Sequence, residues 1–250
     1  MGAHAILSAS SSNRWIHCPP SIRLSQKYED EISPYALEGT SAHSLAEYKL
    51  RTLLGQNVNN PREDLEFYNE EMEELTEGYA SYVMEIVSKY QNPAVFVEER
   101  LDLSEYVKES FGTADCVVVG GEDLHVVDLK YGQGVLVDAK ENTQLMLYGL
   151  GALTLFDGIY DIKNVILHIY QPRRCNISIY EINKIELYKW GETVREIAEK
   201  AYRGEGEYSC GEWCIFCKAK NKCRKRAEEN LKLAQEEFTL PPELSDDEIE

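Results

Sequence analysis

Gly112-Thr113-Ala114-Asp115-Cys116-Val117-Val118-Val119, the turn Gly120-Gly121-Glu122-Asp123, and Leu124-His125-Val126-Val127-Asp128-Leu129-Lys130 form the stretch that decides the fold. Two runs rich in β-branched residues on either side of a glycine turn predict a β-hairpin. Side chains alternate along a strand, so Asp128 and Lys130 share one face and Leu129 points the other way. Asp115 enters from the neighbouring strand. Two carboxylates and an ammonium thereby converge on one patch, a donor set suited to a hard divalent cation and a water.

Upstream of the hairpin, residues 94–102 read as a further strand. Met72, Leu75, Tyr79, Val83, Ile86 and Tyr90 recur at 3–4 spacing, which predicts an amphipathic helix over 67–90. Residues 51–66 form a polar connector, and Ser44–Leu50 a helix with His43 in its first turns. In the segment 8–26 a serine cluster is followed by Trp15-Ile16-His17-Cys18-Pro19-Pro20-Ser21. The proline pair stops regular structure there, and Ser21 is placed to cap a short helix. Downstream come a helix over about 139–156, strands near 163–171 and 176–182, and a helix near 183–202. The central order is helix, three strands, helix, strand, an α/β arrangement. At the far end, Ser245 with Glu248 three residues on is a capping-box signature, so the chain is expected to continue past Glu250.

The 250 residues carry 26 basic and 44 acidic side chains, a net charge of −18. Residues 59–78 hold eight acids and one base, and 227–250 hold nine acids and one base. These two segments account for −15, leaving −3 on the remaining 206 residues. Against that background Lys218, Lys220, Lys222, Arg224, Lys225 and Arg226 crowd into nine positions. Screening limits the reach of charge to about 10 Å, so a local basic face binds phosphates whatever the total is. No run approaches the roughly eighteen apolar residues of a membrane span. The N-terminus lacks a basic and apolar secretory pattern, so a cytoplasmic location is expected. Seven cysteines stand at 18, 116, 175, 210, 214, 217 and 223, four of them within fourteen residues. An odd number so clustered favours a metal site over a disulfide framework. Cys116 and Cys175 lie in strand-like segments and read as small buried hydrophobes.

The ordered set His43, Asp115, Asp128-Leu129-Lys130 and Gln144-Leu145-Met146-Leu147-Tyr148 resembles the PD-(D/E)XK nuclease superfamily in its RecB-like branch. The likeness covers roughly residues 35–185. It implies a restriction-endonuclease-like core in which a central mixed sheet is flanked by helices. It also implies Mg²⁺ or Mn²⁺ held by His43, Asp115, Asp128 and the carbonyl of Leu129. Lys130 would then orient a water, and Gln144 and Tyr148 would position the substrate or the lysine. Of the two acids on the preceding strand, Glu99 is favoured over Glu98 as an auxiliary group.

Cys214-x2-Cys217-x5-Cys223, with Cys18-Pro19 far upstream, looks like the iron–sulfur RecB-like nucleases, namely the CRISPR adaptation exonucleases and AddB-type subunits. That resemblance implies a 4Fe–4S cluster on Cys18, Cys214, Cys217 and Cys223. Cys210 departs from the pattern and opens a local four-cysteine set able to hold Zn²⁺. The whole chain also resembles a phage- and prophage-associated family, which implies a place in DNA recombination, replication or repair beside a single-strand-binding protein. The implied division is an N-terminal segment (1–34), a nuclease core (35–205) with a helical insertion (51–92), a cysteine-rich basic segment (206–230) and an acidic tail (231–250). The expected activity is a metal-dependent DNA exonuclease, with DNA approaching along the basic run, Trp213 and Phe216 being available either for base stacking or for packing round the metal. A non-catalytic DNA-binding subunit and a zinc-stabilised interaction protein stay open as alternatives. So do monomer and oligomer.

Overall fold

The computed structural model describes residues 5–29 and 33–238, so the helix start expected at Ser245 and Glu248 lies outside the described residues. Five strands, β1 (Ala94–Asp102), β2 (Phe111–Gly120), β3 (Asp123–Leu129), β4 (Asn164–Gln171) and β5 (Asn176–Asn183), form one sheet in sequential order. All neighbours are antiparallel except β3 and β4. That parallel pair needs a crossover, which α5 (Thr143–Phe156) supplies. The expected hairpin closes on Gly121-Glu122, with Gly121 in the left-handed region at φ +59°.

The other helices are α1 (Ser12–His17), α2 (Ser21–Ser25), α3 (Pro34–Leu53), α4 (Glu70–Val87), α6 (Lys184–Arg203) and α7 (Arg224–Glu237). α3 begins ten residues before the expected Ser44, because Ser33 caps it by accepting from the amide of Ala36 at 3.2 Å and Pro34 occupies its first turn. His43 therefore sits in mid-helix. Asn69 caps α4 in the same way through the amide of Met72. Ser21 does not cap α2: it is the first residue of that helix, and its buried Oγ makes no hydrogen bond among the described residues.

The sheet is a middle layer. On one side α5 and α6 bury Leu145, Leu150, Leu187 and Val194 against it, together with Leu7 and Trp15 from the N-terminal segment. On the other, α3 and α4 bury Leu50, Tyr79, Val83 and Ile86. Each such side chain contributes about 1.5–3 kcal/mol of transfer free energy. The 51–92 segment, read as an insertion, supplies through α4 much of this second layer.

At one rung the sheet breaks its own alternation. β1 and β2 pair continuously from Ala94↔Val119 to Asp102↔Phe111, except at the position where Glu98 faces Asp115. Before that rung Phe96 and Val117 face α5, while Val97 and Cys116 face α4. Beyond it Leu101 and Ala114 have changed parity and face α5. Both strands thus skip a beat together, which keeps the register and reverses the faces. Glu98 carries the distortion with φ +52°, a backbone state costing a non-glycine residue on the order of 1 kcal/mol.

Beneath α4 runs a buried polar chain. Tyr82 Oη lies 2.8 Å from His168 Nδ1, His168 Nε2 lies 2.9 Å from His125 Nδ1, and His125 Nε2 lies 2.7 Å from Tyr90 Oη, which donates to Asp123 at 2.8 Å. One direction of donation along this chain satisfies every atom with both imidazoles neutral. Burial favours that state, lowering His125 to about 4 and His168 to about 3.

Candidate functional site

β2 and β3 stay paired as far as Cys116↔Val127, so Asp115 and Asp128 stand on the first open rung of the fork. Asp115 Oδ2 accepts from the amide of Leu129 at 2.7 Å, a side chain taking over where the ladder stops. Its Oδ1 lies 3.1 Å from His43 Nδ1 on α3. Asp128 is 3% exposed, and its Oδ2 meets Lys130 Nζ at 2.8 Å. A carboxylate oxygen carries two lone pairs, so this ion pair still leaves the buried Asp128 Oδ2 able to accept a cation. Leu129 packs on the α4 side as expected of an alternating strand.

Among the described residues, His43, Glu98 and Asp115 are the group whose donor atoms lie within 4.8 Å of one another. Glu99, the favoured auxiliary acid, is not part of it. Glu98, opposite Asp115 in the β1–β2 register, stands in the place expected of Glu99. Burial and the charge of Asp115 raise the Glu98 carboxyl to about 7. Burial by itself would lower His43, yet the charge and hydrogen bond of Asp115 outweigh it and hold the ring at about 9. Asp128 is raised by burial, partly offset by Lys130. Burial likewise disfavours charge on Lys130, but Asp128 outweighs it and the ammonium is held charged. Carboxylates that repel and an imidazole drawn into sharing a proton describe a site short of positive charge.

Gln144 and Tyr148 lie one turn apart on α5 and both reach in. Gln144 Oε1 accepts from Lys130 at 3.0 Å, and its Nε2 points to Asp128 Oδ1 at 3.4 Å and Tyr148 Oη at 3.2 Å. Gly112 lets the Tyr148 ring lie directly on the β2 backbone, since a Cβ there would collide with it. Two neighbours had no sequence signal. Buried Gln171 holds the loop after Lys130 by bonding the carbonyls of Gly132 (3.0 Å) and Val135 (2.8 Å) and the amide of Val137 (3.1 Å). Arg173 lies over the Tyr131 ring and bridges Glu38 and Glu71 at 2.8 and 2.9 Å.

The cysteine-rich segment folds back on the N-terminus. Cys18, Cys214, Cys217 and Cys223 line one small cavity, together with Arg14 and Ser21. Cys210 does not line it, though burial and neighbouring thiols push its own group up to about 11. Trp213 stacks on His17 with ring centres 4.4 Å apart, and its Nε1 donates to Ser209 at 3.2 Å. Trp213 is therefore packing round the cavity, whereas Phe216 is 78% exposed.

The basic run divides in two. Lys220 and Arg226 donate to the carbonyls of Ile215 and Lys220, and Lys225 pairs with Glu229. Their charges brace the cysteine segment, while Lys222 and Arg224 are exposed. Cys116 is buried as expected. Cys175 is not: it is exposed in the turn before β5, at φ +48°. Among the described residues no helix is long and apolar enough to cross a membrane.

The chain belongs to the DUF2800 family, described as proteins of unknown function, whose family model matches residues 4–250. Among solved structures it is similar to SSO0001, with a TM-score of 0.34 and 19% identity over 74% of this chain and 96% of that one. A likeness at that level decides neither fold nor activity.

Proposed function

We propose that this DUF2800 protein is a divalent-metal-dependent DNA exonuclease with a PD-(D/E)XK core of the RecB-like branch. The observation that carries the reading is the open rung, with Asp115 opposite Asp128 and the ammonium of Lys130 beside them. His43, Glu98, Asp115 and Asp128 fit Mg²⁺ or Mn²⁺, and the resemblance adds the carbonyl of Leu129. When bound, such an ion polarises a phosphate and lowers the pKa of a water. Lys130, fixed by Asp128 and Gln144, is placed to orient the attacking water and to offset charge developing on the phosphate. Tyr148 holds Gln144 from behind. Exposed Lys222, Arg224 and Phe216 offer a nucleic-acid strand charge and a stacking surface.

The thiols of Cys18, Cys214, Cys217 and Cys223 would hold a 4Fe–4S cluster that staples the N-terminal segment to the cysteine-rich one. Cys18, which the cluster requires, lines this cavity, whereas Cys210, which the zinc alternative requires, does not.

Digestion of end-labelled DNA with Mn²⁺, beside a Lys130→Ala variant, tests the nuclease reading. Hydrolysis by the native chain and a loss of about 100-fold or more in the variant are expected. Equal rates would remove Lys130, and the site with it.

A further inference from the structure

Two buried polar atoms in the wall of the cysteine cavity have no hydrogen-bond partner among the described residues, Nε of Arg14 and Oγ of Ser21. Ser21 is only 3% exposed. Buried donors left unpaired cost about 1–3 kcal/mol each and are correspondingly rare. Their placement is not an accident of loose chain. Ser21 follows Cys18 by three residues, and its amide donates to the Cys18 carbonyl at 2.9 Å. Arg14 precedes Cys18 by one helical turn, and its carbonyl accepts from the Cys18 amide at 2.8 Å. Both residues are thus rigidly tied to a thiol of the cavity while their side-chain donors are unused.

We infer that Arg14 and Ser21 are the hydrogen-bond donors to the sulfur atoms of the group held by these four thiols, and that Arg14 supplies its charge compensation. The inference rests on the iron–sulfur reading given above. Four thiolates round a cluster leave a net negative charge, and burying that charge is costly unless donors and a cation face it. Arg14 provides both. Ser21 provides a neutral donor, as Ser25 does outside the cavity lining, where its Oγ lies 3.7 Å from Cys217 Sγ. Hydrogen bonds to cluster sulfur and nearby positive charge raise the reduction potential, because they favour the more negative reduced form. Arg14 and Ser21 are positioning residues, and the potential reports on them in a way that packing alone would not.

The test uses the full chain prepared without oxygen, as wild type, Arg14→Met and Ser21→Ala. Iron, acid-labile sulfide and zinc are measured on each sample, followed by a mediated redox titration of the visible absorbance. The expected result is undiminished iron and sulfide in all three. Both variants should show a more negative midpoint potential, with the larger shift in Arg14→Met, which loses charge as well as a donor. Should Arg14→Met fail to retain iron, Arg14→Lys, which keeps the charge, and Ser21→Ala are titrated instead. Full iron with unchanged potentials in the variants overturns the inference and leaves the cluster standing. A wild-type chain holding zinc or no metal overturns the cluster reading first, and this inference with it.

Discussion

The fork between β2 and β3 and the cavity of the cysteine segment are both built from potential metal ligands, yet they are held in opposite ways. At the fork nearly every polar side chain has a partner within the protein: Asp115 with His43 and Leu129, Lys130 with Asp128 and Gln144, Gln144 with Tyr148. The cavity has four thiols at the ends of short helices and turns and, among the described residues, two donors without a partner. A sheet and two helices place the first constellation whether or not an ion is present. On the proposed reading, the second would be completed by the group it holds. Preorganisation of that kind would let the fork take up an ion with little rearrangement, whereas the cysteine segment would fold together with its group.

The contrast is sharpest in stability. Cys217→Ser is expected to lower the unfolding free energy of the anaerobic protein by about 3 kcal/mol or more, because a structural metal group contributes folding energy outright. Urea titration followed by tryptophan fluorescence, which senses the Trp213–His17 stack, is the check. A variant as stable as the native chain would erase the difference between the two regions.

The sheet-borne network should respond to acid instead. His125 and His168 sit near 4 and 3 when folded, against about 6.5 unfolded. The unfolded chain therefore binds more protons below pH 6.5. The contribution of the pair is complete above that pH and is lost as the pH falls toward 4 and 3. The slope is at most about 1.4 kcal/mol per pH unit per ring. Denaturation at about pH 7 and about pH 5 measures it, and equal midpoints would show that the buried chain is not held neutral.

The smallest expected effect tests whether Glu98 belongs to the fork. Glu98→Gln should weaken Mn²⁺ binding about tenfold by calorimetric titration, while Glu99→Gln leaves it unchanged. The reverse ranking would return the auxiliary role to Glu99 and make the strain at Glu98 unrelated to the site.

Much of this was legible locally. The hairpin, the pairing of Asp128 with Lys130 and the i, i+4 relation of Gln144 to Tyr148 follow from strand and helix periods, which depend only on neighbours in the chain. The early start of α3 is local as well, set by a Ser33 cap and Pro34 in the first turn, a signal the sequence reading missed. Stacking and packing stayed open for Trp213, because an aromatic beside lysines reads the same in sequence whether it is buried or not.

Residue order alone determined which groups are available to each region: the acids and lysine of the hairpin, the helix pair that supports them, and the cysteine spacing. Tertiary structure decided which of those groups meet. Glu98 meets Asp115 through the β1–β2 register, and the reversal of faces at that rung is a cooperative feature of the pair that neither strand displays by itself. His125 meets His168, and Arg14 and Ser21 come to line one cavity with Cys214, Cys217 and Cys223, through contacts between segments far apart in the chain. Local periodicity carries no information about such long-range meetings, since their energy arises only when both partners are buried together.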